Sequence, residues 1–280
     1  MKAVILQGSS AAPPPPVALA YATRASPHTT LPTSQRPRDT APTSRHGVVA
    51  LSDTGAQWAL VNMAANVADR LQADAAAHNH IGWCDAQHRA IVLTDAQVDH
   101  VAGLLSLRDG SPIDLYATPA VFEALSRSLP VLPVLQHYCG VHWHIIPVAG
   151  ETQCANFRIE QLPHLEFTAL ATQGPTPPYL AEHETQSAAG HSIAIAVRDR
   201  DSGQRLFCAP GAVALGYTEL DWMRSADCVL IDGLTTWPAD EAQDDWLARR
   251  KVLLGVAQRA QGGACPDGFE CASDGMVIDL

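Results

Sequence analysis

Asp95, Gln97, Asp99 and His100 stand within Thr94-Asp-Ala-Gln-Val-Asp-His100, where carboxylate, amide and imidazole groups alternate over six residues. In an extended segment alternate side chains share a face, so Asp95, Gln97 and Asp99 point together, and His100 turns in as a helix begins. A carboxylate and an imidazole are two thirds of a facial triad for non-haem iron. Asp95 is the nearest candidate for a third ligand. His191, just ahead of the apolar run Ser192-Ile-Ala-Ile-Ala-Val197, is the other. The same residues also suit a plainer role, Asp99-His100 serving as an N-terminal helix cap with a hydrogen-bonded histidine.

Such a cluster needs rigid elements to hold it. Ile91-Val-Leu93 reads as a short buried strand, and Val101 to Leu107 restores an apolar pattern compatible with a helix. The donors therefore fall at the carboxyl end of a strand, where α/β folds build sites. Two further histidine pairs stand outside this run. His142-Trp-His144 places two imidazoles on one face of a strand, which can chelate metal but also describes a sheet-surface pair. His78-Asn-His80 lies in a polar stretch that reads as a solvated loop.

Elsewhere the chain alternates short strands with a few helices. Lys2 to Leu6 reads as a first strand, too short before Gln7-Gly-Ser-Ser10 for a secretory leader. Residues 11–44 hold four consecutive prolines from Pro13 and four more further on, with little apolar periodicity, and read as an extended flexible loop. Gly47–Leu51 and Trp58–Val61 read as paired strands about the turn Ser52-Asp-Thr-Gly55. Ala65–Ala75 reads as a helix. Ile113–Tyr116 is a strand and Pro119–Ser128 a helix with proline in its first turn. Strands are expected at 142–146, 157–162, 166–172, 192–197, 204–208 and 228–231. Segments 252–255 and 275–280 are expected to close a second sheet. Two sheets between helical layers account for this pattern.

The layout of Asp95 to His100 resembles the metallo-β-lactamase superfamily, whose H-x-H-x-D-H motif occupies the same strand-to-helix junction. Asp95 and Gln97 stand at its first two histidine positions, and Asp99-His100 match its last two residues. Followed by Gly103-Leu-Leu-Ser-Leu-Arg108, the run resembles the PQQ (pyrroloquinoline quinone) biosynthesis protein B branch of that superfamily. Trp58-Ala-Leu-Val-Asn62, Leu206-Phe-Cys-Ala-Pro-Gly211 and Ala226-Asp-Cys-Val-Leu-Ile-Asp-Gly233 resemble later landmarks in order. The resemblance implies an α/β (α+β) fold, a metallo-β-lactamase-like αββα four-layer sandwich, as one domain over residues 1–280.

The resemblance also implies an iron-dependent hydroxylase in a quinone or peptide-derived natural-product pathway, with a peptide or amino-acid substrate and a pathway protein as the further candidate partner. Its site would use Asp99 and His100 as catalytic residues and Asp95, Asp99, His100 and His191 as metal ligands. Fe(II) is the expected metal, with zinc as an in vitro substitute. The chain departs from the branch in four places. It has no cysteine before Cys84, so the branch's N-terminal structural zinc is not expected. It lacks the Met-Gly-His element after Asp240. It has Gly255-Val-Ala-Gln-Arg259 where the branch has a metal-binding histidine. Pro210-Gly211 replaces the superfamily's Gly-Asp, removing the carboxylate that bridges two metals and disfavouring dinuclear hydrolysis. A catalytically inactive member that binds a peptide or pathway partner is the alternative, and a metallohydrolase ranks third.

Composition narrows the partners. With 18 Lys+Arg against 29 Asp+Glu, the net charge of −11 argues against nucleic acid or an anionic membrane. No run approaches the ~20 apolar residues of a membrane span, and a cytoplasmic location is expected. Seven dispersed cysteines without a C-x-x-C pair predict small buried side chains and no disulfide framework. P-loop, Rossmann and nucleophile-elbow motifs are all missing.

Overall fold

Strands buried on both faces need apolar side chains at every position, and such runs build the two sheets of this protein. The structure is a computed structural model. It describes residues 1–6, 48–65, 67, 71, 83, 89–180, 189–232, 235–236, 248–254, 265 and 267–280. The first sheet contains β1 (Lys2–Leu6), β2 (Val48–Ser52), β3 (Ala59–Val61), β4 (Arg89–Val92), β5 (Ile113–Ala117), β6 (Val141–Ile145) and, at its far edge, β14 (Val277–Asp279). Their order is β14-β1-β2-β3-β4-β5-β6, antiparallel up to β3 and parallel from β3 to β6.

The second sheet contains β7 (Cys154–Phe157), β8 (Leu165–Ala171), β9 (Ile193–Asp199), β10 (Arg205–Ala209), β11 (Cys228–Asp232), β12 (Arg250–Leu254) and β13 (Glu270–Cys271). It runs β13-β12-β11-β10-β9-β8-β7, antiparallel from β7 to β10 and parallel beyond. Three apolar layers result. Ile5, Leu51, Val92, Phe167, Ile195 and Leu230 fill the space between the sheets. Leu60, Ile91, Leu104, Leu115 and Leu125 pack the outer face of the first sheet under its helices. Phe207, Val229, Leu220 and Met223 pack the outer face of the second under one helix.

The helices are short. Val98–Val101 (α1) tightens into a 3₁₀ turn over Ala102–Ser106, and Pro119–Glu123 (α2) widens into a π-type turn over Ala124–Ser128. Val131–Leu135 (α3) and Tyr217–Arg224 (α4) follow. Thr118 caps α2, its hydroxyl accepting from the Val121 N–H, with Pro119 in the first turn.

Several expectations need correction. Residues 158–162 form a turn, the strand there being Cys154–Phe157. Segment 275–280 does not close the second sheet. Its strand β14 pairs with β1, which buries Ile278 between the sheets and places Lys2 opposite Asp279. Neither α3 nor α4 was expected: Pro133 and a central Asp221 obscure the helical period. Cys265 and Cys271, six residues apart, form a disulfide that their dispersed spacing did not suggest. Cys154 is exposed. Ala65, Val67 and Leu71 are helical, but the rest of 65–75, the 11–44 segment, His78, His80 and the region of the branch's structural zinc lie outside the described residues.

The 3₁₀ turn after α1 sits directly on the chain leaving β3. The Met63 N–H donates to the His100 carbonyl at 2.7 Å, and the Gly103 N–H donates to the Met63 carbonyl at 2.9 Å. A Cβ on residue 103 would lie 2.4 Å from the Ala64 carbonyl oxygen and 2.7 Å from that of Met63. Both obstacles are backbone, so neither can swing aside. Gly103→Ala is therefore expected to destabilise the fold by about 1–3 kcal/mol, as overpacking does. Urea unfolding checks this; an unchanged midpoint would show that the two segments part easily.

Candidate functional site around Asp95 and His100

The carboxyl end of β4 supplies the site. Thr94, two residues past the end of the strand, is fixed from two sides. Its N–H donates to Asn62 Oδ1 at 2.9 Å, and Asn62 Nδ2 donates to its Oγ1 at 2.9 Å. Asn62 holds φ at 67°, a left-handed conformation that asparagine tolerates because its short amide can bond locally. The Thr94 carbonyl accepts from the Ile193 N–H at 2.9 Å, and Asp95 bridges to Ser192. Since β4 and β9 belong to different sheets, the two sheets are joined by backbone at this point.

Asp95 and His100 are both buried. His100 Nδ1 lies 2.8 Å from both carboxylate oxygens of Asp95. The same carboxylate accepts from the Gln97 N–H at 2.9 Å and from the Thr94 hydroxyl at 3.3 Å. Burial is the largest influence on each group and opposes its charge. For Asp95 the His100 charge and hydrogen bond, with those of Gln97 and Thr94, outweigh it and hold the carboxyl below its usual range. For His100 the Asp95 charge and hydrogen bond, aided by Asp99 and Asp232, outweigh burial and raise the imidazole above its usual range. His100 Nε2 is buried without a hydrogen-bond partner.

The other expected residues do not join this pair. Asp99 is exposed in the first turn of α1, where it caps nothing; the residue at the helix boundary is Gln97, and Asp95 accepts from its N–H. Gln97 reaches the Pro175 carbonyl. His191 is half-buried in a separate recess with Leu180, Ala124 and Arg127. Asp232, at the end of β11, was not singled out in the sequence; it is buried and close enough to influence His100. The only sequence signal was its place at a strand's carboxyl end. His142 Nδ1 and His144 Nε2 lie on edge strand β6 and share Oδ1 of Asp114 at 3.1 and 3.2 Å. They are surface histidines held by a carboxylate.

Gly211 closes the other side. A Cβ there would lie 2.1 Å from Asp95 Oδ2 and 3.3 Å from His100 Cε1, so only glycine fits beside the pair. A resident mononuclear metal would need at least three convergent donors. A carboxylate on Nδ1 with Nε2 left open is the orientation of a metal-bound histidine. Yet Asp95 is already taken up by His100, Gln97 and Thr94, Asp99 faces solvent, and His191 faces another recess. Among the described residues no three donors converge, so they do not fit a three-ligand mononuclear centre.

What the pair can do is hold a proton. The folded pKa of His100 lies above the unfolded value near 6.5, so its contribution to stability is full below pH 6.5 and lost as pH rises through the folded pKa. In Asp95→Asn the main charge supporting the imidazolium is gone and burial dominates. Its His100 is expected to titrate below 6.5. NMR titration of the imidazole checks both; a His100 that titrates identically in the two proteins would overturn the assignment.

Comparison with known proteins gives the site a context. Residues 58–261 match the family model described as the beta-lactamase superfamily domain. Coenzyme PQQ synthesis protein B of Klebsiella pneumoniae is 37% identical over 206 residues, 72% of this chain and 64% of that protein. The chain thus spans just under two thirds of that relative. The same-named protein of Pseudomonas putida (strain GB-1) is 35% identical over 226 residues, 79% of this chain and 72% of its own. Among solved structures, Zn(2+)-bound PqqB from Methylobacterium extorquens superposes with a TM-score of 0.61 at 23% identity, covering 84% of this chain and 87% of that one. The short form of human tRNase Z gives a TM-score of 0.54 at 17% identity, covering 84% and 92%. These two likenesses concern the fold. The match over residues 58–261 and the P. putida relative place the chain, by descent, in the β-lactamase superfamily and in its coenzyme PQQ synthesis protein B family.

Proposed function

We propose that this chain serves the biosynthesis of pyrroloquinoline quinone or a related peptide-derived quinone by binding a peptide or amino-acid intermediate at the rim beside His100. Its relatives' name supplies the pathway. The observation that carries the binding role is the closure of Asp95 on His100 Nδ1, with no further donor gathered among the described residues. A cleft of about 690 Å³, lined in part by Thr172, Gln173, Gly174, Leu215 and Glu219, opens nearby. Gly174 packs against Ser192 and the Gly211 carbonyl, so its wall adjoins the site. That volume suits a side chain and its flanking peptide groups.

In this reading His100 orients or exchanges a proton with the bound molecule. Its Nε2 faces away from Asp95, and the raised pKa keeps a proton available near neutral pH. A second reading, iron-dependent hydroxylation of the same intermediate, is favoured by the unpartnered Nε2. It requires donors beyond those the described residues bring to His100.

One experiment separates the two. The full chain is equilibrated anaerobically with Fe(II), and calorimetry measures stoichiometry and affinity for wild type and His100→Ala. The binding role predicts no stoichiometric site, with a dissociation constant above about 10 μM, weaker than a complete ligand set provides. One equivalent held far more tightly, and lost in His100→Ala, would overturn the metal-free binding role and favour the hydroxylase reading. Parallel titration with a tyrosine-containing peptide should show binding weakened about tenfold in His100→Ala, the loss of one charge-assisted hydrogen bond. No peptide binding by wild type would sink the role itself.

A further inference from the structure

The outer face of the second sheet carries a charge arrangement that the site at the rim does not explain. In register across three strands, Glu166 of β8 lies opposite Arg198 of β9, and Arg198 lies opposite Arg205 of β10. Directly paired residues share a face, so the two arginine side chains leave the sheet side by side, about 5 Å apart at their base. Arg158, next to the Phe157 that pairs with Phe167, adds a third cation along the same cleft. Like charges in direct cross-strand pairs are destabilising. They stand here in a chain of net charge −11.

Glu166, the one carboxylate opposite Arg198 in the register, forms its ion pair with Arg200, whose Nε lies 3.5 Å away. Asp227 accepts from the Arg205 backbone N–H at 2.9 Å, not from its guanidinium. No ion pair joins the Arg158, Arg198 or Arg205 side chains to another described residue. The three line a cleft of about 460 Å³ whose far wall is Trp222 of α4, half-buried against the apolar layer. Thr168 and Ser225 add hydroxyl groups to the lining.

The geometry points to a binding site for a small planar aromatic molecule bearing two or more carboxylates. Adjacent guanidinium forks suit carboxylates bound by paired hydrogen bonds, and an indole face suits a flat ring. The volume is that of a small-molecule site, and its walls are a sheet and a helix, not loops. The site lies on the opposite face of the second sheet from the inter-sheet core. It is independent of the role proposed for His100.

Benzene-1,2,4-tricarboxylate is the probe, titrated into the full chain while tryptophan fluorescence and heat are recorded. The expected result is saturable binding with quenching that disappears in Trp222→Phe. Benzoate should bind at least tenfold more weakly, and Arg198→Gln or Arg205→Gln should each weaken the tricarboxylate about tenfold or more. Without ligand, Arg198→Gln should melt about 1–3 °C higher than wild type, because the repulsion with Arg205 is relieved. That gain in stability with loss of binding distinguishes a ligand site from a structural one. Three results would overturn the proposal. One is equal tricarboxylate affinity in wild type and both arginine variants. Another is a pentaglutamate peptide binding more tightly than the tricarboxylate, which would mark a peptide surface. The third is a change of sedimentation coefficient in Arg198→Gln, which would mark an interface between copies.

Discussion

A sheet covered on both faces leaves no interior position where an ionisable group can keep its water. Burying an unpaired charge costs far more than any one contact returns. The central strands of this protein obey that constraint: Val48–Leu51, Ala59–Val61 and Ile193–Val197 are wholly apolar and buried. Polar chemistry is therefore confined to strand ends and outer faces. Asp95 follows the end of β4, Asp232 ends β11, and Gly211 follows β10. The backbone bond from Ile193 to Thr94 then fixes the distance between the sheets at the place where these ends meet. Chemistry at the rim and packing in the middle are two results of one constraint.

The same constraint governs how the buried ionisable groups are paired. Arg89 is buried, but its guanidinium forks onto Asp109 at 2.9 Å through both terminal nitrogens and reaches the Ser111 carbonyl. Asp199 receives the N-terminal ammonium group of Met1 at 2.8 Å and is held near a pKa of about 2, mainly against burial. Asp114 is shared by His142, His144 and Gln161. Apart from Asp95 and His100, which are five residues apart, these buried charges meet partners 20 or more residues away. These pairs thereby also fix which strands lie side by side.

Much of the architecture was legible because period-two and all-apolar runs have few other uses. The strands at 48–52, 113–117, 205–209 and 228–232 were placed to within a residue or two. The αββα sandwich followed from the resemblance carried by Thr94 to Arg108. What failed was information that is not local. Nothing in Val277-Ile-Asp279 says that it pairs with β1 at the other end of the chain. At the site, Asp95 and His100 were found because they are close in sequence. The spacing could not tell that Asp99 would face solvent, because the helix begins at Val98, two residues earlier than the alternation assumed, and turns that side chain outward. Asp232 escaped notice because its partner is 132 residues away, the difference between 232 and 100.

Gly211 bears on how this site can change over time. The Cβ of any side chain there would lie 2.1 Å from an Asp95 oxygen, so position 211 cannot hold a carboxylate while Asp95 holds His100. Asp95 in turn cannot be removed without leaving the buried imidazole without its partner. Each change is harmful alone and tolerable only after the other. Positions 95 and 211 are therefore coupled, and a side chain can enter at 211 only together with a change at 95.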